Sequence, residues 1–411
     1  MAGNEQQFAY RGIGVQILEG VRVLDLTRAI PGEFCTMILA DLGAEVIKIE
    51  PVPSTESTPV EATISLTPQD QTRVMLYALN RNKGSVGLNL KTEEGKNIFR
   101  QLSKRADVLV EGFRPGVVKR LGVDYDTLTK ENPRLIYCSI SGYGQSGRYM
   151  ELAGHDINYI SMAGLLDLIR DDEGKPVIPL NLIADYAGGA LYGVISILAA
   201  LLGREQTSYG QHIDVSMADG ALSLLTAVAC NYFAPEEAPY FGARIHCGIR
   251  PACYRTYRTG DDRYISVGCV ETKFWKALCH LVGRCDFIAY QFAGDEKQKE
   301  MVSFFESLFL TRSSHEWLEA LAAHDIPVAR VNTLAEALSD QHFRQRGMIW
   351  EFDDPVLGKV RQIGSPIKLS GTSSRIKRVA PVLGDSTVDV LCTLGYSQEQ
   401  VRELRQRGII W

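Results

Sequence analysis

The sequence has little of what marks a nucleic-acid-binding, disulfide-rich or metal-binding protein. Its 44 Lys and Arg residues nearly balance 49 Asp and Glu residues, and a net charge of −5 predicts no nucleic-acid partner. The nine cysteines are scattered without CxxC spacing. A zinc site within the loose group Cys247–Cys285, near His246 and His280, is therefore less favoured than buried, reduced thiols, and we expect no metal.

Long apolar segments are also lacking. The first residues, MAGNEQQFAYRGIG, are polar and have no apolar core of a secretory signal. The smoothest apolar run, LYGVISILAALLG at 191–203, is too short to span a bilayer and predicts a buried helix. Together with the free thiols, this predicts a cytoplasmic protein with no membrane partner.

Strand and helix patterns alternate along the first half of the chain. VRVLDL (21–26) and AEVIKIE (44–50) are typical strands, and PGEFCTMILADLG (31–43) between them is typical of a helix. The pattern repeats at SVGLNL, ADVLVEGF and RLIYCSISG. Since βαβ units imply a parallel sheet, we predict a doubly wound α/β domain.

The character of the sequence changes after residue 225. ACYRTYRTGDDRYISVG (252–268) predicts a β-hairpin that turns at GDD, and more highly charged helices follow. We predict that residues 1–225 form the N-terminal part of a large α/β domain and that 226–331 form a smaller α+β domain. Residues 332–411 are predicted to return to the large domain as its C-terminal part. PVPSTESTPVEATISLTPQDQT, just after the second strand, predicts a surface loop.

GYGQSG (142–147) has the spacing of a dinucleotide-binding loop, but its position argues against that function. It follows the fifth predicted strand, whereas the fingerprint belongs to a first βαβ unit. Glycines that permit a close approach of the backbone to a ligand remain a second interpretation. Arg81, Lys83 and Arg114 are either phosphate ligands near strand ends or solvated surface charges.

Three further residues are ambiguous when taken singly. His155, in GHDINY, is either a structural histidine or a base; Asp185, in NLIADYAGG, is either a helix cap or a perturbed carboxylate; Glu271 is either a cap or an orienting acid. Together they suit proton transfer next to a carbonyl, with His155 and Asp185 as two bases and Glu271 holding the imidazole. The N–H groups of a helix starting near Asp156 suit an enolate oxygen.

The chain resembles the family III CoA-transferase superfamily, of the CaiB/BaiF type, which includes the 2-methylacyl-CoA racemases. The resemblance extends from about Leu18 to the C-terminus. It rests on VRVLDLTRAIPGEFCTMILADLGAEVIKIE, LNRNKGSVGLNLK, DVLVEGFRPGV, SGYGQSG, GHDINY, NLIADYAGG, GQHIDVSMADG and IPVARVNTLAEAL. It implies an interlocked homodimer in which a Rossmann-like large domain, built from both chain ends, binds coenzyme A as part of an acyl-CoA substrate, with no permanently bound cofactor.

The resemblance also implies residue roles. Arg114 and the Arg81–Lys83 segment match nucleotide-contacting positions, and we extend this expectation to the neighbouring backbone at Gly112, Pro115, Gly142, Tyr143 and Gly144. In the transferases, the aspartate matching Asp185 attacks the acyl-CoA. In the racemases that aspartate is one base, the residue matching His155 is the other, and the residue matching Glu271 supports it.

The presence of His155, Asp156, Asp185 and Glu271 favours the racemase branch. CGIRPACYRTY stands where some transferases have a glycine-rich flap, and this points the same way. We therefore expect a racemase or epimerase that acts at the α-carbon of a 2-methyl-branched acyl-CoA. The alternative is transfer of CoA between carboxylic acids through Asp185. A third possibility, an acyl-CoA-binding homologue without catalysis, is disfavoured by the intact acid–base set.

Overall fold

A six-stranded parallel sheet organises the first part of the chain. The computed structural model describes residues 16–53, 78–233, 251–354, 358–372, 374 and 376–411. Most of the predicted loop at 51–73, as well as His246, Cys247 and the start of CGIRPACYRTY, lies outside these residues. The strands are β1 (Arg22–Asp25), β2 (Glu45–Glu50), β3 (Lys83–Gly87), β4 (Val108–Glu111), β5 (Ile136–Ser141) and β6 (His212–Ser216).

The strand order is β3-β2-β1-β4-β5-β6, and all neighbouring strands are parallel. This is the order of a doubly wound sheet, so the predicted α/β class is confirmed. β4 and β5 are buried along their whole length, as expected for strands covered on both faces. The order reverses between β1 and β4, where such sheets leave a crevice at the carboxyl ends of their strands.

Helices connect and cover these strands. The first, α1, begins with Pro31 in its first turn, where a missing N–H costs no hydrogen bond. The helices up to residue 223 are α1 (Ile30–Asp41), α2 (Glu93–Ser103), α3 (Val117–Leu121), α4 (Tyr125–Leu128), α5 (Asp156–Met162), α6 (Leu165–Leu168), a π-helix (Leu182–Leu191), α7 (Tyr192–Thr207) and α8 (Met217–Ser223).

The chain divides into two compact units. The first contains residues up to Leu166, Ile178–Leu224 and Gly347–Trp411. Its last part adds the antiparallel pair β10 (Ile349–Asp354) and β11 (Gly358–Ile363), followed by α15 (Thr387–Thr393) and α16 (Gln398–Gln406). Leu391, Val401 and Leu404 from these helices share one core with Val86 and Phe99 of the sheet region.

The second unit consists of Asp167–Val177 and Leu225–Arg346. It includes residues 332–346, which the sequence assigns to the C-terminal part of the large domain, and the short segment 167–177. The predicted hairpin is confirmed: strands β7 (Tyr254–Arg258) and β8 (Tyr264–Gly268) pair antiparallel, and β9 (Val328–Arg330) also pairs with β8. Its elements are α9 (Thr226–Phe233), β7 (Tyr254–Arg258), β8 (Tyr264–Gly268), α10 (Thr272–Leu281), a 3-10 helix (Cys285–Tyr290), α11 (Asp295–Phe309), α12 (Ser314–Ala322), β9 (Val328–Arg330), α13 (Leu334–Ser339) and α14 (Gln341–Gln345).

The apolar helix α7 differs from the prediction of a buried helix. Val194, Ile197 and Ala200 are buried, but Ile195 and Leu202 are 59% and 73% exposed. Among the residues described, the helical stretch Leu182–Thr207 is long and apolar enough to cross a membrane, a property that core helices of soluble proteins share. The helix thus has one packed side and one apolar side that is open in the single chain.

The π-helix packs on α8 through two glycines that leave no room for a side chain. A Cβ on Gly220 would lie 2.1 Å from the Gly188 carbonyl oxygen, well inside van der Waals contact. A Cβ on Gly188 would lie 2.8 Å from the Met217 carbonyl oxygen. Backbone therefore rests on backbone where the two helices meet, which sets how far the π-helix stands from α8.

We predict that Gly220→Ala destabilises the protein by about 1–3 kcal/mol, because the added methyl group forces these two backbones apart. Gly203→Ala is the matched control, since a Cβ there meets no atom within 4 Å. In the middle of α7, this change should raise stability by about 0.5–1 kcal/mol. Thermal unfolding of both variants checks the prediction, and equal behaviour would contradict it.

Candidate active site

A cleft of about 390 Å³ opens at the carboxyl ends of the central strands of the first unit. The segments that follow β1 and β4 and the end of β5 all contribute to its lining. This is the crevice where the strand order reverses, the usual ligand site of such sheets. The segments lining it are 28–31, 112–115, 140–142 and 152–155, with Glu33, Met150, Tyr159, Asp185 and Met217.

His155 lies at this cleft as the residue that caps the start of α5. Its backbone N–H donates to Asn158 Oδ1 at 3.0 Å, which satisfies one group at the helix start. The imidazole itself is exposed. The helix predicted to start near Asp156 is therefore confirmed, and the N-cap position also presents the His155 ring to the cleft.

Tyr159 holds the His155 segment against the sheet. Its hydroxyl donates to the Gly154 carbonyl oxygen, and its ring lies where a Cβ on Gly142 or Gly154 would stand. Burial, together with the nearby Asp185 carboxylate, raises the pKa of Tyr159 to about 12, so this phenol stays protonated near neutral pH. The two glycines are needed because the aromatic ring packs directly on their backbone.

Asp185 faces the same cleft from the π-helix. Burial raises the pKa of its carboxyl group, and the charge of Asp156 acts in the same direction. A hydrogen bond from Asn181 Nδ2 to Asp185 Oδ2, 3.1 Å long, and the proximity of His155 oppose this increase. Asp185 is therefore the perturbed carboxylate of the sequence interpretation, lying inside the helix rather than capping it.

Asp156 differs from its predicted catalytic role. Its side chain is buried behind the cleft wall, and Oδ2 accepts the backbone N–H groups of Ala184 and Asp185 at 2.7 and 2.8 Å. A carboxylate held in this way has no open path to a substrate. Asp156 therefore supports the residues that face the cleft and does not face it itself.

The predicted nucleotide contacts fall into two groups. Arg114, Gly112, Pro115 and Gly142 line the cleft, and the Arg114 side chain is exposed there. Phe113 N–H donates to the buried Glu111 carboxylate at 2.7 Å, which fixes the turn that carries Arg114. Their predicted contact with a nucleotide is compatible with this placement.

Arg81 and Lys83 do not fit the prediction. Arg81 is buried and its guanidinium pairs with Asp41, with the closest N–O distance at 2.6 Å. Lys83 has no exposed surface, and its ammonium donates to Asp25, Asn80 and the Glu33 carbonyl oxygen. Burial of a charge requires an opposite partner, and both cations have found theirs inside the protein.

Tyr143 and Gly144 also lie outside the cleft lining. Gly144 has φ of +85°, a conformation that favours glycine, and lies against Asp214 and Ser216. The next residue, Gln145, donates its N–H to both Asp214 carboxylate oxygens at 3.0 and 3.1 Å. The Tyr143 ring packs edge-on against Tyr159. GYGQSG is thus a turn fastened to β6, in agreement with the argument against a dinucleotide loop.

Glu271 caps the start of α10 in the second unit, the position that its local sequence suggested. His155 belongs to the first unit, so the proposed support of the imidazole by Glu271 stays a prediction.

The structure adds Arg28 to the cleft, with its guanidinium 5.4 Å from the centre of the Phe113 ring. The sequence could have indicated Arg28 as a cleft residue because it follows β1 closely. It could have indicated Asn181 as a partner of Asp185 because the two residues are four positions apart, a spacing that brings side chains together on a helix.

We predict that Asn181→Leu raises the pKa of Asp185, because the variant loses the hydrogen bond that stabilises the carboxylate form. Titration of ¹³C-labelled aspartate carboxyl groups by NMR measures the effect, with Asp185→Asn identifying the signal. Asn132→Ala, which removes an amide bonded to Ser103 and Ala106 carbonyl oxygens, is the control and should leave this signal unchanged. A lowered pKa in Asn181→Leu would contradict the assignment.

The chain is similar in sequence to an alpha-methylacyl-CoA racemase and to a CoA-transferase. Over 395 residues, the chain is 34% identical to the alpha-methylacyl-CoA racemase of Homo sapiens, covering 96% of this chain and 97% of that protein. It is 31% identical over 413 residues to the succinyl-CoA:glutarate CoA-transferase of Mus musculus, covering 96% of this chain and 90% of the relative.

The structural and family comparisons agree with these similarities. A CAIB/BAIF family protein from Brucella suis superposes with a TM-score of 0.74 at 29% identity, covering 92% of this chain and 99% of that one. Residues 18–387 match the family model described as CoA-transferase family III. The resemblance seen in the sequence is thus confirmed, and the chain belongs to CoA-transferase family III.

Proposed function

We propose that this protein is a racemase or epimerase that moves a proton between the two faces of the α-carbon of a 2-methyl-branched acyl-CoA. The observation that carries the proposal is that His155 and Asp185 line one cleft. The alternative reaction, transfer of CoA between carboxylic acids through an aspartyl anhydride, needs only the Asp185 carboxylate. Proton exchange on two opposite faces needs two groups, and the cleft offers both.

In this mechanism one base removes the α-proton, and the bond electrons move to the thioester oxygen as an enolate. The other group, in its protonated form, then delivers a proton to the opposite face of the same carbon. The raised pKa of Asp185 brings its carboxyl group closer to neutral pH, where it can both accept and donate a proton. The first N–H groups of α5, beside His155, are suitable donors to the enolate oxygen.

The substrate is proposed to lie with its nucleotide end toward the cationic rim. Arg28 and Arg114 are both exposed at the cleft, and guanidinium groups bind phosphates through paired hydrogen bonds. Met150, Leu152 and Met217 supply apolar surface in the same cleft, which suits an acyl chain. The carbon chemistry would thus take place between an apolar wall and two proton-transfer groups.

Two further features support a homodimer in a reducing compartment such as the cytoplasm. Leu191, Ile195 and Leu202 recur at helical spacing on one side of α7 and its entry, and all three are exposed in the single chain. A second copy covering this side would remove apolar surface from water. The eight described cysteines are free thiols, as expected where disulfides do not form.

The alternative function is CoA transfer between carboxylic acids with Asp185 as nucleophile. It is favoured by the similarity to the succinyl-CoA:glutarate CoA-transferase, which approaches the similarity to the racemase. Under this alternative, Asp185 attacks the thioester carbonyl and CoA leaves as the thiolate. His155 then has no required part, so this residue separates the two functions.

We predict that the wild-type protein incorporates deuterium at C2 of both epimers of a 2-methylacyl-CoA in deuterated water without an added acid. Each epimer presents its proton to a different base. His155→Ala should therefore lose exchange from one epimer and Asp185→Asn from the other, while both lose racemisation. Mass spectrometry of the recovered thioesters measures the uptake.

The transferase alternative gives a different result in the same preparation. No deuterium would enter at C2, CoA exchange would require an added carboxylic acid, and hydroxylamine would trap an acyl derivative of Asp185. Such a combination would refute racemisation. Exchange that survives equally for both epimers in His155→Ala would also contradict the two-base assignment.

We predict that Arg114→Ala raises the KM for acyl-CoA about tenfold with little change in kcat, because a charge-assisted phosphate contact is lost. The matched control is Lys119→Ala, which removes an exposed cation from the neighbouring helix α3. Steady-state kinetics on both variants test the placement of the nucleotide end. If the two variants behave alike, Arg114 does not contact phosphate.

A further inference from the structure

The buried carboxylate of Asp156 connects the two helices that carry the proposed proton-transfer groups. Its side chain is 2% exposed, and one oxygen, Oδ2, receives the N–H groups of both Ala184 and Asp185. These donors belong to the first turn of the π-helix, where N–H groups have no acceptor within the helix. Asp156 therefore supplies from another segment what an N-cap residue usually supplies locally.

Asp156 is also the first residue of α5, directly after His155. The backbone of Asp156 thus adjoins the residue that carries the imidazole. Its side chain holds the backbone of the residue that carries the other carboxylate, Asp185. Two hydrogen bonds of 2.7 and 2.8 Å to a charged acceptor form a stiff link. Since a misplacement of about 1 Å can cost on the order of 100-fold in rate, such a link bears directly on catalysis.

We propose that Asp156 is a positioning residue that sets the separation of His155 and Asp185 and tunes the Asp185 carboxyl group through its charge. The proposal rests on the proposed function only in taking His155 and Asp185 as the reacting groups. It replaces the catalytic role that the sequence pattern suggested for Asp156. It also explains why Asp156, which does not line the cleft, directly follows His155, which does line it.

The charge of Asp156 has a separate effect from its geometry. It raises the pKa of Asp185, in addition to burial and against the effects of Asn181 and His155. The other helices packed on the π-helix contribute Glu33, which is paired with Lys48, and the exposed Asp219. Tyr159 and Tyr186 are the neighbouring phenols whose own pKa values the Asp185 charge raises. Replacing Asp156 by Asn removes the charge and keeps an acceptor oxygen in place.

The experiment compares Asp156→Asn, Asp156→Ala and the control Asp219→Asn, which removes one exposed charge from α8 in the same unit. For the epimer whose proton Asp185 removes, Asp156→Asn should keep kcat within about threefold and move the acidic limb of the kcat/KM profile to lower pH, because the pKa of Asp185 falls. Asp156→Ala should lower kcat about 10- to 100-fold with KM for acyl-CoA nearly unchanged. The control should match the wild type in all three quantities.

The proposal is overturned if Asp156→Asn leaves the acidic limb where it is, or if Asp156→Ala keeps wild-type kcat. The proposal is also overturned if Asp156→Ala raises the KM for acyl-CoA and leaves kcat unchanged, because Asp156 would then shape the substrate-binding site. If Asp156→Ala does not fold, the Asn variant decides the question through its pH profile. ¹³C titration of Asp185 in the Asn variant needs no substrate, so a failed exchange reaction in the wild type refutes the proposed function alone.

Discussion

The pairing of Lys83 with Asp25 inside the sheet is the interaction on which the cleft depends. Both side chains have no exposed surface, and the ammonium also reaches the Glu33 carbonyl oxygen in the first turn of α1. Burial alone would raise the pKa of Asp25, but the charges of Lys83 and Lys48 and two threonine hydroxyls lower it. The end of β1, the start of β3 and the start of α1 are thereby tied together beneath one wall of the cleft. Removing one buried partner typically costs about 3–5 kcal/mol, since the other charge stays behind unpaired.

The opposite side of the cleft depends on close approach rather than on charge. Gly142 and Gly154 admit the ring of Tyr159, and Gly188 and Gly220 allow the π-helix to rest on α8. A side chain at any of these four positions would have to displace its neighbour. His155 and Asp185 therefore stand on segments whose distance from the sheet is set by backbone contacts. π-Helical turns are rare and frequently lie at functional sites, which agrees with the role proposed for Leu182–Leu191.

The two reactions proposed for this protein differ in how the Asp185 carboxylate is used. A half-buried aspartate with a raised pKa can accept a proton, donate one, or attack a thioester when ionised. The carboxylate alone does not choose among these reactions. In this protein the choice is attributed to His155, because a second proton-transfer group in the same cleft is useful only when a proton must reach the opposite face of a carbon.

Much of this organisation was determined by the sequence itself. The alternation of VRVLDL, PGEFCTMILADLG and AEVIKIE was sufficient to predict a parallel α/β sheet, because strand and helix periodicities are local properties. His155 and Asp185 were predicted from motifs, and the cleft contains both. The sequence predicted ligand-binding roles for Arg81 and Lys83 and a catalytic role for Asp156. A charged residue near a strand or helix end looks like a site residue in the sequence, because the sequence does not show which buried group it pairs with. Only the tertiary structure decided their roles, since the strand order brings Lys83 to Asp25 and the packing of two helices brings the Asp156 carboxylate to the backbone of Asp185. Those partners are 58 and 29 residues away in the chain, and no local pattern records a distance of that kind.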